Sequence, residues 1–144
     1  MVLNTRHTGI VVRDIEQAVT FYEGLGMICI SRMLEEGEYI DNLVGLGKTR
    51  LEWAKLKLPD GSLVELLQYH SHPDDGFPDL QESYKLGCSH IAFTVSDINK
   101  VVEYFIENGG SIKHLPQLSP DKKVKVLYCY DIEGNIIEMV EQLT

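Results

Sequence analysis

Two segments of this chain spell the same sentence. H-T-G-I-V-V-R-D-I-E-Q-A-V-T-F-Y-E-G-L-G begins at His7, and H-I-A-F-T-V-S-D-I-N-K-V-V-E-Y-F-I-E-N-G-G begins at His90. The offset that lays His7 on His90 also aligns Asp14 with Asp97, Ile15 with Ile98, Val19 with Val102, Phe21 with Tyr104 and Gly26 with Gly109. The copies close alike, with D-G-S-L-V-E-L-L placing Glu65 and E-G-N-I-I-E-M-V placing Glu138 four residues after a turn glycine. Each half therefore supplies one His and one Glu at matching positions. A duplicated unit of this size is too long for a solenoid repeat and points to two halves related by a pseudo-twofold axis. A site on that axis would receive two imidazoles and two carboxylates.

Each copy reads as β-α-β-β-β, an α+β arrangement. The periodicity predicts a strand over 5–12, then a helix over 15–23 with Asp14 as N-cap and Ile15, Val19 and Tyr22 on one stripe. Strands follow over 27–34, 50–58 and 63–69, with residues 38–47 as a loop holding at most a helical turn. The second copy predicts a strand over 89–95, a helix over 98–108 capped by Asp97, and strands over 111–116, 123–130 and 135–141. Residues 70–87 carry two of the chain's five prolines and several acids, as a linker between module one (1–69) and module two (88–144) would. The linker is long enough for the halves to sit side by side or to exchange between chains. Its His70 and His72 are expected to be solvated, and they, like His114 farther on, lie outside the repeat-equivalent pair and are expected to be dispensable for metal binding.

At 144 residues the chain suits a single domain with a real core. No apolar run approaches the roughly 20 residues that span a bilayer, and the N-terminus lacks a signal-peptide core; the expected compartment is the cytoplasm. Cys29, Cys88 and Cys129 make no C-x-x-C pair and read as reduced thiols. Thirteen basic against 22 acidic residues give a formal charge of −9. That balance disfavours nucleic acid and anionic membranes as partners and leaves a small molecule as the expected one. The local clusters Lys48 with Arg50, and Lys122 with Lys123 and Lys125, read as solvated strand ends.

Side chains alternate across a strand. His7, Gly9 and Val11 share one face of the first strand, as His90, Ala92 and Thr94 share one face of its repeat; the opposite faces carry Ile10 and Val12, or Ile91, Phe93 and Val95. Small residues beside the histidine and large ones opposite are what a strand shows when a helix covers one side and a pocket lies on the other. Taking P-D-G-S as an even-length turn puts Glu52, Ala54 and Leu56 on the face of Leu63, Glu65 and Leu67, and the same parity puts Lys125, Leu127 and Cys129 with Ile136, Glu138 and Val140. Glu52, Ala54, Leu56 and Leu127 are accordingly the expected substrate-lining residues. Glu65 and Glu138, each flanked by aliphatic residues, require a hydrogen-bonding cation or a metal as partner, because an isolated carboxylate in an apolar setting is strongly unfavourable.

Over nearly its whole length, from H-T-G-I-V-V-R-D-I through G-C-S-H-I-A-F-T-V-S-D-I to Y-D-I-E-G-N-I-I-E-M-V, the chain resembles the vicinal oxygen chelate superfamily. That superfamily includes glyoxalase I, methylmalonyl-CoA epimerase, extradiol dioxygenases, fosfomycin-resistance enzymes and bleomycin-binding proteins. The resemblance implies two β-α-β-β-β modules forming a curved mixed sheet around a metal, with His7, Glu65, His90 and Glu138 as ligands to one divalent ion: Zn, Ni, Co, Mn or Fe. Four protein ligands leave an octahedral ion two open positions. Two suffice for a chelating substrate but not for substrate and O₂ together, for which two His and one carboxylate leave three. The expected activity is a glyoxalase-type lyase or an epimerase/isomerase, with Glu138 first and Glu65 second as the base that moves a proton next to a metal-held carbonyl. The alternatives are a ring-cleaving Fe(II) dioxygenase and a non-catalytic protein that binds an antibiotic or metabolite. Paired two-module sheets of this family imply a homodimer.

Overall fold

A computed structural model describes residues 1–76 and 80–143; residues 77–79 of the linker, Pro78 among them, and Thr144 lie outside the described residues. The chain divides into two compact units, Met1–Asp75 and Gly76–Thr144, and the division falls within the expected linker.

The first unit runs β1 (Thr8–Val11), α1 (Ile15–Gly24), β2 (Ile28–Glu36), α2 (Glu38–Val44), β3 (Arg50–Lys57) and β4 (Leu63–Tyr69). Its four strands form one sheet in the order β1-β4-β3-β2, with β1 parallel to β4 and the other pairs antiparallel. The second unit runs β5 (Ile91–Val95), α3 (Ile98–Glu107), β6 (Ser111–Ile112), β7 (Gln117–Leu118), β8 (Val124–Tyr130) and β9 (Ile136–Gln142). Its sheet has the order β5-β9-β8-β6, with β7 on β8 beyond β6 and β5 parallel to β9. The β-α-β-β-β unit is thus built twice as two mixed sheets, and α2, where a loop was expected, is an insertion particular to the first.

Each helix is fixed to its own sheet by the same device. Asp14 caps α1 by accepting from the Gln17 N–H at 3.1 Å, and Asp97 caps α3 by accepting from Asn99 and Lys100. The next free N–H of each helix is taken by a side chain from the central strand: Ile15 donates to Gln68 Oε1 at 2.9 Å, and Ile98 to Glu141 Oε2 at 3.2 Å. Those donors have no intrahelical acceptor, so a sheet residue that satisfies them also sets where the helix begins. α1 then packs on β3 and β4, burying Ile15, Ala18, Val19, Phe21 and Tyr22, while α3 packs on β6, β8 and β9 through Ile98, Val101 and Phe105.

The strand expected over 111–116 is broken into β6 and β7. Lys113 still donates its N–H to Tyr128 O, but the Tyr128 N–H is met by the His114 imidazole at 3.4 Å instead of by a backbone carbonyl. Pro116 follows, and its lack of an N–H prevents an unbroken ladder.

Candidate functional site

Both hairpins that carry the glutamates turn in the same way. Leu58 donates to Ser62 O and Gly61 to Leu58 O; Asp131 donates to Asn135 O and Gly134 to Asp131 O. Each loop therefore holds three residues, ending in a glycine at φ +89° or +83°, the left-handed position that glycine occupies without a Cβ penalty. An odd loop reverses the expected parity. Glu65 lies opposite Lys55, and Glu138 opposite Tyr128. Ala54 pairs with Leu66, Leu56 with Val64 and Leu127 with Met139, all fully or almost fully buried. The expected substrate-lining set of Glu52, Ala54, Leu56 and Leu127 is corrected accordingly: these residues lie on the opposite faces of their sheets from Glu65 and Glu138. Ala54, Leu56 and Leu127 belong to the helix-covered core.

Glu52 has other work on that side. Its carboxylate takes Arg32 Nε at 2.8 Å and His70 Nε2 at 2.8 Å, while Arg32 also reaches Glu16 of α1 at 2.6 Å. Burial pushes the Glu52 carboxyl up, but the bonds from His70 and Arg32 outweigh it and hold the group below the ordinary carboxylate range. These contacts tie β2, β3 and the residue after β4 to α1.

The face opposite each helix carries the repeat-related pairs. His7 immediately precedes β1, whose Gly9 is in register with Glu65; His90 immediately precedes β5, whose Ala92 is in register with Glu138. The small residue between leaves the imidazole free to lean along the strand onto the carboxylate. His7 Nε2 stands 2.6 Å from Glu65 Oε2, and His90 Nε2 stands 2.8 Å from Glu138 Oε2. The side chains are mostly sheltered, Glu65 at 12% exposure and Glu138 at 22%, so each carboxylate has the partner its burial requires. His90 Nδ1 contacts Ser89 Oγ at 3.2 Å and its ring lies 5.0 Å from that of Tyr128; His7 Nδ1 is buried without a hydrogen-bond partner.

The donor atoms of the pairs are of the kinds that divalent metals bind. Imidazole nitrogen and carboxylate oxygen are the donor set of mixed N/O divalent sites. Two donors on adjacent positions of an ion, each about 2.1 Å away, stand about 3 Å apart; the His–Glu separations are 2.6 and 2.8 Å. The Ser89 contact would orient the His90 ring through its other nitrogen. Among the described residues, no group of three or more His, Cys, Asp or Glu is gathered at metal-binding distance; what is assembled is one His–Glu pair in each unit. His70, His72 and His114 are engaged elsewhere, with Glu52, Ser71 and the Leu115 carbonyl respectively. Sequence reasoning missed Trp53, Lys55 and Tyr128 as neighbours of the glutamates. The signal was present as a glycine at the third place of both P-D-G and I-E-G.

A family model for the Glyoxalase/Bleomycin resistance protein/Dioxygenase superfamily matches residues 5–139, and the chain belongs to that superfamily. Its members include lyases, fosfomycin-resistance enzymes and dioxygenases. Among solved structures, a glyoxalase family protein from Bacillus cereus superposes with a TM-score of 0.90 at 27% identity, covering 100% of this chain and 97% of that one. A glyoxalase/bleomycin resistance protein/dioxygenase domain from Frankia gives a TM-score of 0.68 at 20% identity, covering 99% of each chain. A mutant of the fosfomycin resistance protein FosX from Listeria monocytogenes, complexed with Mn(II) and 1S,2S-dihydroxypropylphosphonic acid, gives 0.65 at 14% identity, covering 96% of this chain and 90% of that one. The last two likenesses concern the fold. No curated protein matches the sequence. No helix among the described residues is long and apolar enough to cross a membrane.

Proposed function

We propose that this protein is a divalent-metal enzyme that moves a proton on the carbon next to a carbonyl, as a glyoxalase-type lyase or an epimerase/isomerase. The observation that carries the reading is the His–Glu pair built twice on equivalent strands, His7 with Glu65 and His90 with Glu138, at 2.6 and 2.8 Å. One ion would take all four side chains. Bound there, it would polarise a substrate carbonyl and stabilise the negative charge that develops on its oxygen.

The rest falls to the chain's own groups. A carboxylate within hydrogen-bond reach of the substrate accepts the carbon-bound proton and returns it to the same or the adjacent carbon. Glu138 is the first choice. Its cross-strand neighbour is Tyr128, whereas that of Glu65 is Lys55; Glu65 is the second choice. The helix-covered aliphatic layer beneath each glutamate keeps water from one side of it. Two such chains form the proposed working unit, a homodimer, and the FosX complex adds fosfomycin to the substrates worth testing.

The test is incubation in deuterium oxide with the glutathione hemithioacetal of methylglyoxal and with 2-methyl-branched acyl-CoA thioesters, following deuterium incorporation and dissolved oxygen together. Exchange without oxygen uptake is expected. Oxygen uptake with a catechol, and no exchange on any carbonyl substrate, overturns the reading in favour of a dioxygenase.

A further inference from the structure

The two modules differ at one repeat-equivalent position beside the glutamates. Opposite Glu138 stands Tyr128, whose ring lies near His90; opposite Glu65 stands Lys55. The fold therefore does not need a cation there, since the second module does without one. Nor does Lys55 serve as the partner of Glu65. That carboxylate is taken by His7 at 2.6 Å, and among the described residues no carboxylate forms an ion pair with Lys55. Its ammonium instead lies 4.6 Å from the centroid of Trp53, two residues back on the same face. Ser31, in register with Lys55 on β2, brings a hydroxyl to the next strand on that face.

A half-buried lysine resting on an indole is a cation held in place by a weak, non-saturating contact. The ammonium has three donors on a flexible stem and can turn to an anion without disturbing the sheet. With the Glu65 carboxylate taken up by His7, the ammonium is a positive charge that this face can offer to an anion in a chain that is acidic overall.

We infer that Lys55, seated on Trp53 and flanked by Ser31, is an anion subsite on the His7–Glu65 face, so that the substrate is an anionic carbonyl compound carrying a carboxylate or phosphate-like group. The inference rests on the metal-enzyme reading for the statement that this face meets substrate; the anion site itself stands on the residues. Lys55 is a specificity-determining residue, not part of the proton transfer.

Trp53 is the chain's single tryptophan, so its fluorescence reports at the proposed subsite. The full-length protein is titrated with inorganic phosphate, with propionate and with neutral propionamide, against sodium chloride at matched ionic strength, and metal content is measured in the same samples. Phosphate and propionate should change the fluorescence saturably and propionamide should not. Lys55→Met keeps the apolar stem over Trp53 and should weaken half-saturation at least about tenfold, the loss of one charge-assisted bond, while Lys55→Arg should stay within a few-fold of the parent. No saturable response to either anion, equal response to propionamide, or unchanged half-saturation in Lys55→Met overturns the subsite. Lys55-dependent anion binding in a protein that takes up no metal upholds the subsite and removes the metal reading; one metal ion with no effect of Lys55→Met does the reverse.

Discussion

Leu127→Ala separates the two faces of the second sheet. Leu127 is fully buried on β8 beside Met139, on the α3 side. The substitution removes three buried carbons, about 2.4 kcal/mol at about 0.8 kcal/mol each. The unfilled cavity raises the expected loss to about 3–5 kcal/mol, the range of fully buried Leu→Ala changes. For a chain of this length that corresponds to a fall in Tm of roughly 6–20 °C. Thr94→Ala, exposed on the His90 face of β5, should cost under about 0.5 kcal/mol. Urea unfolding followed by circular dichroism measures both, with metal content per folded chain as a control that Leu127→Ala should leave unchanged. A Leu127→Ala protein of near-parental stability but altered metal or ligand binding would show that the side chain lines the site and that the three-residue turn is wrong.

Four further outcomes are expected. Glu138→Gln keeps an oxygen that can still contact a metal but loses most of its basicity, so elemental analysis and turnover should show more metal retained than activity. Replacing His70, His72 and His114 together should leave metal content unchanged, because each is engaged outside the two pairs. In the folded protein an alkylating reagent followed by mass spectrometry should modify exposed Cys88 first and spare Cys129, whose thiol is pushed up to about 12 by burial and, secondarily, by Asp131 and so presents almost no thiolate at neutral pH. The Asp41 carboxyl is held below its ordinary value by the Thr49 N–H and, after the opposing effect of burial, by that of Lys48. A folded-state value below the unfolded one means stability that is present above the ordinary aspartate range and lost as pH falls toward the folded value. The gap in urea midpoint between the parent and Asp41→Ala should therefore narrow as the pH is lowered through that range.

The parts of this fold that were legible in the sequence are those set by short-range rules. Asp14 and Asp97 announce their helices because a carboxylate accepts the orphan N–H groups of a first turn, and the aliphatic runs around Glu65 and Glu138 mark central strands. The duplication placed one His and one Glu in each half, but not their pairing within each half, which depends on the parallel register of β1 with β4 and of β5 with β9. The lining residues failed for a single reason: counting P-D-G-S as an even turn moved every side chain of β3 and β8 to the wrong face. Nothing local announced that Gln68 and Glu141 would hold the helix N-termini, since those contacts join residues 53 and 43 positions apart. The break between β6 and β7 depends on His114 taking a backbone donor from a strand that follows it in sequence, which pattern alone does not reveal.

The proposal on which the function rests is that His7, Glu65, His90 and Glu138 would serve one divalent ion. Elemental analysis of the purified protein, of His7→Ala and of His90→Ala, each checked for folding by circular dichroism, tests it most directly. The account predicts one divalent ion per site in the parent and a loss of most of it in either variant, although the two histidines lie in different modules. Full metal retention in both variants, or loss in the triple replacement of His70, His72 and His114 with none in these two, would contradict it.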